Sequence, residues 1–229
     1  MQVGFEIKKD PKRIHILGTG SGWELAPKAT SATVYCLNDY IRVERYGIRP
    51  DRLFIMDILD SKPQIISGQD DLGAVIKRIN DMGVPLVAPM KYEEIPLSEA
   101  FPLDRYVKEF GAPYFLNTIA YMIAYALLEG AEEIDLFGIN QASSSEYFYE
   151  KASCEYLLGV AIGRGVKVTI HGEKSELLMN KARFGGSILY GYDASYETIK
   201  RDDQRFGEGV VKKLMTPPKA VSRTVRQIK

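Results

Sequence analysis

The 229-residue chain has little cysteine and no surplus of either charge. Its two cysteines, Cys36 and Cys154, lie far apart in apolar segments, so the sequence offers neither a disulfide framework nor a close Cys/His cluster that would hold structural zinc. Basic and acidic residues number 30 each. Because general nucleic-acid binders are usually basic, this balance argues against that function for the body of the protein.

The chain also lacks a long hydrophobic run. Residues 1–13 are charged and have no apolar core, which is unlike a secretory signal. The most apolar stretch, residues 114–130, is interrupted by Asn117 and Thr118 and is short for a membrane span. We therefore expect this stretch to form a buried helix, and we expect a cytoplasmic protein without a membrane span.

What the sequence does contain is an alternation of apolar runs with segments of helical spacing. It predicts strands at 13–18, 33–38, 51–57, 84–89, 132–140 and 166–172, and helices at 71–83, 116–130 and 145–165. The strands are continuous apolar runs, which is typical of a parallel sheet covered on both faces. We predict an α/β protein with a Rossmann-like, doubly wound, mostly parallel sheet and helices on both faces.

The predicted domain is flanked by an extension at each end. We expect an N-terminal extension at 1–12, the Rossmann-like nucleotide-binding-type domain at 13–190, and an irregular C-terminal extension at 191–229. Within the domain, the proline-punctuated segment 89–111 predicts a loop or lid. The last 20 residues contain six basic and no acidic residues. They form either a solvated tail or an arm that docks on a neighbouring subunit or an acidic partner, and an arm would make the protein a homo-oligomer.

A glycine-rich segment, GTGSG at 18–22, follows the first predicted strand. Glycine lets the backbone approach a ligand closely, and free N–H groups in such a turn can bind an anion. Open parallel sheets bind ligands outside the carboxyl ends of their strands, where this segment lies. The dinucleotide fingerprint is incomplete because Trp23 occupies the third glycine position, and no Walker motif follows. Both a phosphate-binding loop and a plain turn therefore remain possible.

Polar residues also follow three other predicted elements. Asn38, Asp57 and Asn140 end apolar strands, so in a parallel sheet they could converge on one pocket, although Asn and Asp also favour turns at strand ends. Asn117 and Thr118 begin the apolar helix, where they could cap it or face the same edge of the sheet.

The predicted helix at 145–165 begins with a cluster of charged residues. Glu146 and Glu150 are four residues apart, as are Lys151 and Glu155, so each pair shares a helical face. Beside a phosphate site, Glu146, Glu150 and Lys151 are candidates for binding a metal or transferring a proton. The alternative is an exposed first turn whose acidic residues simply favour the helix N-terminus.

Four segments carry a family resemblance: ILGTGSGWEL, VYCLNDY, PDRLFIMD and NTIAYMIAYALLEGAEEIDLFGIN. Together they resemble the nucleotide-binding domain of bacterial lipooligosaccharide sialyltransferases. They also resemble a related Rossmann-like family of uncharacterised proteins that includes archaeal pterin pyrophosphokinases. The segment after the fifth strand, NQASSSEYFYEKASCEYLLGVAIGRG, resembles phage and prophage members of this superfamily. The likeness covers roughly residues 13–172, and its most specific piece is residues 117–140.

The resemblance implies roles for particular residues. Those implied to contact phosphate, sugar or nucleotide are Gly18, Thr19, Gly20, Ser21, Asn38, Asn117 and Thr118. Thr19 stands where these enzymes usually carry asparagine. Their histidine base has no counterpart here, since His15 lies inside the first strand and His171 ends the sixth.

The sequence therefore predicts a protein that binds a small-molecule nucleotide or nucleotide sugar. Its expected activity is that of a glycosyltransferase-like transferase, and the second resemblance predicts a phage or prophage origin. Two alternatives remain open: a pyrophosphokinase-like phosphotransferase, and a non-catalytic assembly or accessory protein that keeps the fold. The sequence requires no cofactor and does not decide whether a divalent metal takes part.

Overall fold

The computed structural model describes residues 8–38, 47–57, 59, 72–111, 114–141 and 147–177, without the side chains of 147–149. All of these residues lie in the first of two units of the chain, Met1–Gly186. The strands are β1 (Asp10–Leu17), β2 (Ala32–Leu37), β3 (Arg52–Phe54), β4 (Leu86–Ala88), β5 (Ser98–Ala100), β6 (Glu133–Phe137) and β7 (Lys167–Ile170). The α-helices are α1 (Leu72–Met82), α2 (Leu103–Phe110), α3 (Thr118–Leu128) and α4 (Tyr147–Gly163).

The seven strands form one parallel sheet in the order β5-β4-β3-β2-β1-β6-β7. The chain starts at β1 and proceeds to one edge at β5. It then returns to the other side of β1 for β6 and β7. The strand order therefore reverses between β1 and β6, which is where open parallel sheets bind ligands. The predicted Rossmann-like α/β fold is confirmed for this part of the chain.

Helices cover both faces of the sheet because its residues enter two separate cores. From β1, Ile14 and Ile16 pack in the core that contains α3 and α4. Leu17 packs on the opposite face with residues of α1. Helix α3 is buried along nearly its whole length, which explains why its sequence is apolar on every side.

The prediction of a loop or lid at 89–111 is wrong, because this segment contains β5 and α2. Its prolines lie next to the elements and do not interrupt them. Pro96 precedes the edge strand β5, and Pro102 is the N-cap of α2, both positions where a missing N–H is tolerated. Tyr106 of α2 is fully buried and anchors the helix to the core.

Several sequence predictions are not tested by these elements. The N-terminal seven residues, the boundary at residue 190, the basic C-terminal arm and Glu146 all lie outside the described ranges. Among the helices that the structure describes, none is long and apolar enough to cross a membrane.

Candidate functional site

A cleft of about 640 Å³ lies at the carboxyl ends of β1, β2 and β6. Its walls are the segment after β1, the ends of β2 and β3, the start of α3, the segment after β6, and one residue of α4. The cleft therefore occupies the edge at which the strand order reverses.

Most of the predicted site residues line this one cleft: Gly18, Thr19, Gly20, Asn38, Asp57, Asn117, Thr118, Asn140 and Glu150. Ser21 is not part of the lining but contacts Asn140. Lys151 follows Glu150 on α4 and does not line the cleft. Arg164 lies just beyond the end of α4, about 20 Å from Glu150 along the helix axis, and pairs with Glu109 at 3.1 Å. The structure brings these lining residues together, and their chemical roles remain predictions.

The glycines after β1 pack against the segment after β6. The Gly18 N–H donates to the Phe137 carbonyl oxygen at 2.8 Å, and the Gly20 N–H donates to the Gly138 carbonyl oxygen at 2.9 Å. A Cβ atom at Gly18 would lie 2.4 Å from the Gly138 carbonyl oxygen. These glycines are therefore needed for close packing, and their N–H groups are not free for an anion as the sequence had suggested.

Asn140 holds the glycine segment in place. With its amide oriented to satisfy both partners, Asn140 Nδ2 donates to the Ser21 carbonyl oxygen at 3.1 Å, and its Oδ1 accepts from the Ser21 N–H at 3.2 Å. The Gly22 N–H in turn donates to Glu24 Oε2 at 2.9 Å. The GTGSG segment is thus a wall of the cleft whose backbone donors are largely used inside the protein.

The start of α3 offers a different set of donors. The first N–H groups of an α-helix have no intrahelical acceptor, and both Thr118 and Ile119 line the cleft. The positive end of the helix dipole lies at the same point. The start of α3 therefore offers the cleft backbone donors that have no acceptor within the helix.

Asn38 and Asp57 form a polar pair on the neighbouring wall. Asn38 Nδ2 donates to Asp57 Oδ2 at 3.0 Å. Asn38 Oδ1 is buried and accepts no hydrogen bond within the described part of the protein. Because buried polar atoms are nearly always hydrogen-bonded in folded proteins, this oxygen is an unused acceptor on a residue that lines the cleft.

Asn117 connects three elements at the centre of the cleft. Its Oδ1 accepts from the Ala120 N–H at 2.8 Å, which caps α3, and from the Cys154 Sγ–H at 3.4 Å. Its Nδ2 donates to Gln141 Oε1 at 3.4 Å and to Glu150 Oε2 at 3.3 Å. Burial raises the pKa of the Cys154 thiol to about 12, so this group is a neutral donor.

The sequence did not point to Gln141, although this residue lines the cleft. Gln141 is 8% exposed. Among the non-glycine residues that the structure describes, it alone has a positive φ, at 47°. Non-glycine residues avoid this left-handed region, and nothing in the sequence around Gln141 signals it.

The two histidines lie outside the cleft lining. His15 is buried within β1, where the sequence predicted it, and its Nε2 is 3.6 Å from Asp135 Oδ2. His171 pairs with Asp135 Oδ1 at 2.8 Å and stacks on Phe137. His171 directly follows β7, as the sequence predicted, and its side chain contacts β6 and does not line the cleft.

We expect His15 to make folding stability fall as the pH is lowered. Burial lowers its pKa from the ordinary 6.5, an effect that the nearby Asp135 carboxylate partly opposes. Below pH 6.5 the unfolded chain takes up a proton that the folded protein resists. The contribution of the neutral His15 to the free energy of unfolding is therefore fully present above pH 6.5. It is lost as the pH falls towards the lower pKa of the folded protein, by at most about 1.4 kcal/mol per pH unit.

Urea unfolding of the wild type and of His15→Phe at pH 7.5, 6.5 and 5.5 measures this effect. The variant should lose less stability than the wild type between pH 6.5 and 5.5. Equal losses in the two proteins would show that His15 does not carry the pH dependence.

The structure contains no obvious metal centre in the residues that it describes. No group of three or more His, Cys, Asp or Glu side chains in those ranges could hold a metal ion.

Together, the fold and the cleft define a Rossmann-like α/β protein with a cleft at the point where the strand order reverses. No family model and no curated protein matches the sequence. Among solved structures, a variant of the sialyltransferase CstII in complex with CMP is 17% identical, with 85% of this chain and 99% of that chain covered and a TM-score of 0.51.

Two further structures are similar. CstII from Campylobacter jejuni in complex with cytidine-5'-monophosphate is 14% identical, with 72% of this chain and 82% of that chain covered and a TM-score of 0.48. The monofunctional alpha-2,3-sialyltransferase Cst-I from the same organism is 12% identical, with coverage of 94% and 100% and a TM-score of 0.48. The chain thus has a distantly sialyltransferase-like fold, as the CstII variant shows, whereas the predicted likeness to phage proteins and pterin pyrophosphokinases remains a prediction.

Proposed function

We propose that the cleft binds a nucleotide or nucleotide sugar and that the protein is a glycosyltransferase-like transferase. The observation that carries this proposal is the convergence of the α3 N-terminus, the buried Asn38 oxygen and the Glu150 carboxylate on one cleft at the strand-order reversal. The CstII variant with the same fold was solved in complex with CMP, which supports a nucleotide as the ligand class.

The phosphate would lie at the start of α3. There the Thr118 and Ile119 N–H groups and the helix dipole favour a negative charge. The packed glycine segment, with Thr19 at the cleft surface, would form the wall behind it. No side-chain cation is needed for this contact, because helix N-termini bind phosphate through backbone donors alone.

The nucleoside would lie against Asn38. The buried Oδ1 of Asn38 can only accept a hydrogen bond. The complementary ligand group is therefore a donor, such as an exocyclic amine of a base or a ribose hydroxyl. Asp57 fixes the Asn38 amide by accepting from its Nδ2, and this orients the free oxygen.

Glu150 is the proposed base of the transfer reaction. In that step the bond between the sugar's anomeric carbon and the phosphate oxygen breaks, and the nucleotide leaves with the bonding electrons. The acceptor oxygen forms the new bond to the anomeric carbon and gives its proton to the Glu150 carboxylate. The positive end of α3 would stabilise the negative charge on the departing phosphate.

A thermal-shift panel tests the proposal directly. CMP, UDP, GDP, ADP and their sugars are assayed with and without magnesium against the wild type, Asn38→Ala and Asn80→Ala. Asn80, on α1, is an exposed asparagine that does not line the cleft. A ligand at 100 times its Kd adds about 2.7 kcal/mol of stability, which for a protein of this size raises Tm by about 5–11 °C.

We expect at least one compound to stabilise the wild type and Asn80→Ala, and to stabilise Asn38→Ala much less. If no compound in the panel shifts the Tm of the wild type, the proposed function is wrong. If Asn38→Ala responds like Asn80→Ala, the nucleoside does not lie where we propose.

A further inference from the structure

The orientation of the Asn117 amide follows from a backbone group. The Ala120 N–H can only donate, so the Asn117 atom 2.8 Å away must be the oxygen, Oδ1. The amide nitrogen therefore faces the other way, towards Glu150 Oε2 and Gln141 Oε1. An ionised carboxylate only accepts hydrogen bonds, and its position opposite Nδ2 agrees with this orientation.

The same argument orients Gln141. Since Asn117 Nδ2 is a donor, the Gln141 atom facing it must be the acceptor Oε1, which leaves Nε2 with two N–H groups. Nε2 donates to no residue that the structure describes, while Gln141 lines the cleft. Gln141 also has a left-handed backbone, a conformation that concentrates at functional sites when a non-glycine residue adopts it.

Asn117 itself has no hydrogen-bonding capacity left. An asparagine amide has two N–H donors and an oxygen that accepts twice. Both donors are used by Gln141 and Glu150, and both acceptor positions are used by the Ala120 N–H and the Cys154 thiol. Asn117 is therefore suited to holding other side chains in place and not to contacting a ligand.

We infer that Gln141 and Glu150 together bind an uncharged hydroxyl group of the acceptor, and that Asn117 is the positioning residue that sets the two side chains beside each other. The Gln141 Nε2–H donates to the hydroxyl oxygen, and the hydroxyl proton points to the Glu150 carboxylate. This inference rests on the proposed transferase function, whose acceptor substrate it specifies.

The charge of the site determines which acceptor group fits. A hydroxyl can accept from an amide and donate to a carboxylate at once, whereas a carboxylate or phosphate can only accept. Such an anion would lie beside the negative charge of Glu150, which costs binding energy in a partly enclosed cleft. The acceptor group at this site is therefore a neutral hydroxyl and not an acidic group.

Binding of methyl glycosides, followed by NMR titration, tests this inference. The probes are the methyl glycosides of galactose, glucose and N-acetylglucosamine. The first two are compared with their acidic counterparts, methyl galacturonoside and methyl glucuronoside. The proteins are the wild type, Gln141→Gly, Asn117→Asp and the control Asn80→Asp. Gln141→Gly removes the Gln141 side chain while favouring the left-handed backbone. Asn117→Asp keeps the side-chain oxygen that caps α3 and removes both N–H donors of the Asn117 amide.

We expect the wild type and Asn80→Asp to bind at least one neutral glycoside, and the acidic probes at least fivefold more weakly. Gln141→Gly and Asn117→Asp should each lose at least fivefold in affinity for the neutral glycoside. That loss should exceed any loss in nucleotide affinity, with both variants folded by circular dichroism. A residue that only supports folding would weaken both ligands alike.

The inference is overturned if the wild type binds none of the neutral glycosides, if it binds the acidic probes equally well, or if both variants retain the wild-type affinity. The proposed function has its own readout in the nucleotide panel. Glycoside binding that depends on Gln141 and Asn117, without any nucleotide response, would keep the hydroxyl site and reject the transferase proposal.

Discussion

Gly138→Ala is expected to lower the free energy of unfolding by about 2–5 kcal/mol. Gly138 has a φ of +64°, in the left-handed region, where a side chain costs about 1–2 kcal/mol. Its new Cβ would also lie 2.7 Å from the Gly20 carbonyl oxygen and 2.8 Å from Trp23 Cβ. Forcing an atom into such a packed space adds about 1–3 kcal/mol.

Gly130→Ala is the matched control for this substitution. Gly130 also has a positive φ, at +77°, but a Cβ there would meet nothing within 4 Å. Gly130→Ala should therefore lower the free energy of unfolding only by the backbone strain, about 1–2 kcal/mol. Urea unfolding of both variants measures the difference, and equal losses would show that the β1 and β6 segments do not pack as closely as described.

Thr118→Glu is expected to weaken nucleotide binding at least tenfold without loss of folding stability. Thr118 is the first residue of α3 and lines the cleft. A glutamate there favours the helix itself by about 0.3–1 kcal/mol, because it complements the helix dipole. It also places a negative charge beside the proposed phosphate site, and two like charges ~5 Å apart repel by about 3 kcal/mol at an effective dielectric constant of 20.

The control for this variant is Leu103→Glu. Leu103 is the first residue of α2, is 43% exposed and does not line the cleft. The same charge at the same position of another helix should leave nucleotide binding intact. Calorimetric titration with the nucleotide found in the thermal-shift panel measures both Kd values. Similar affinities for Thr118→Glu and the wild type would place the phosphate elsewhere.

The sequence predicted many of the residues that line the cleft because the strands of the sheet are parallel. In a parallel sheet every strand ends at the same edge, so polar residues that follow separate strands are brought together without further information. Asn38, Asp57 and Asn140 lie at one cleft for this reason. The start of α3 joins them because the chain must cross back from the edge strand β5 to β6.

The glycine segment shows where sequence reasoning stopped being sufficient. A glycine after a strand can serve close approach to a ligand or close approach to another backbone, and the residues look the same in both cases. Only the structure shows that the N–H groups of Gly18 and Gly20 donate hydrogen bonds to the carbonyl oxygens of Phe137 and Gly138. The proline-rich segment 89–111 was misinterpreted in a similar way, because proline beside an element and proline inside a loop have the same sequence signature.

By itself, the sequence determined the parallel α/β architecture, because apolar runs and helical periodicity are local patterns that follow from burial. It also determined which strand ends carry polar side chains. Only the tertiary structure decided how the side chains are used: Asn140 holds a loop, Asn117 holds two neighbours, and Gln141 lines the cleft with a left-handed backbone. These roles depend on hydrogen-bond partners far apart in the chain, and no local pattern of residues encodes a partner.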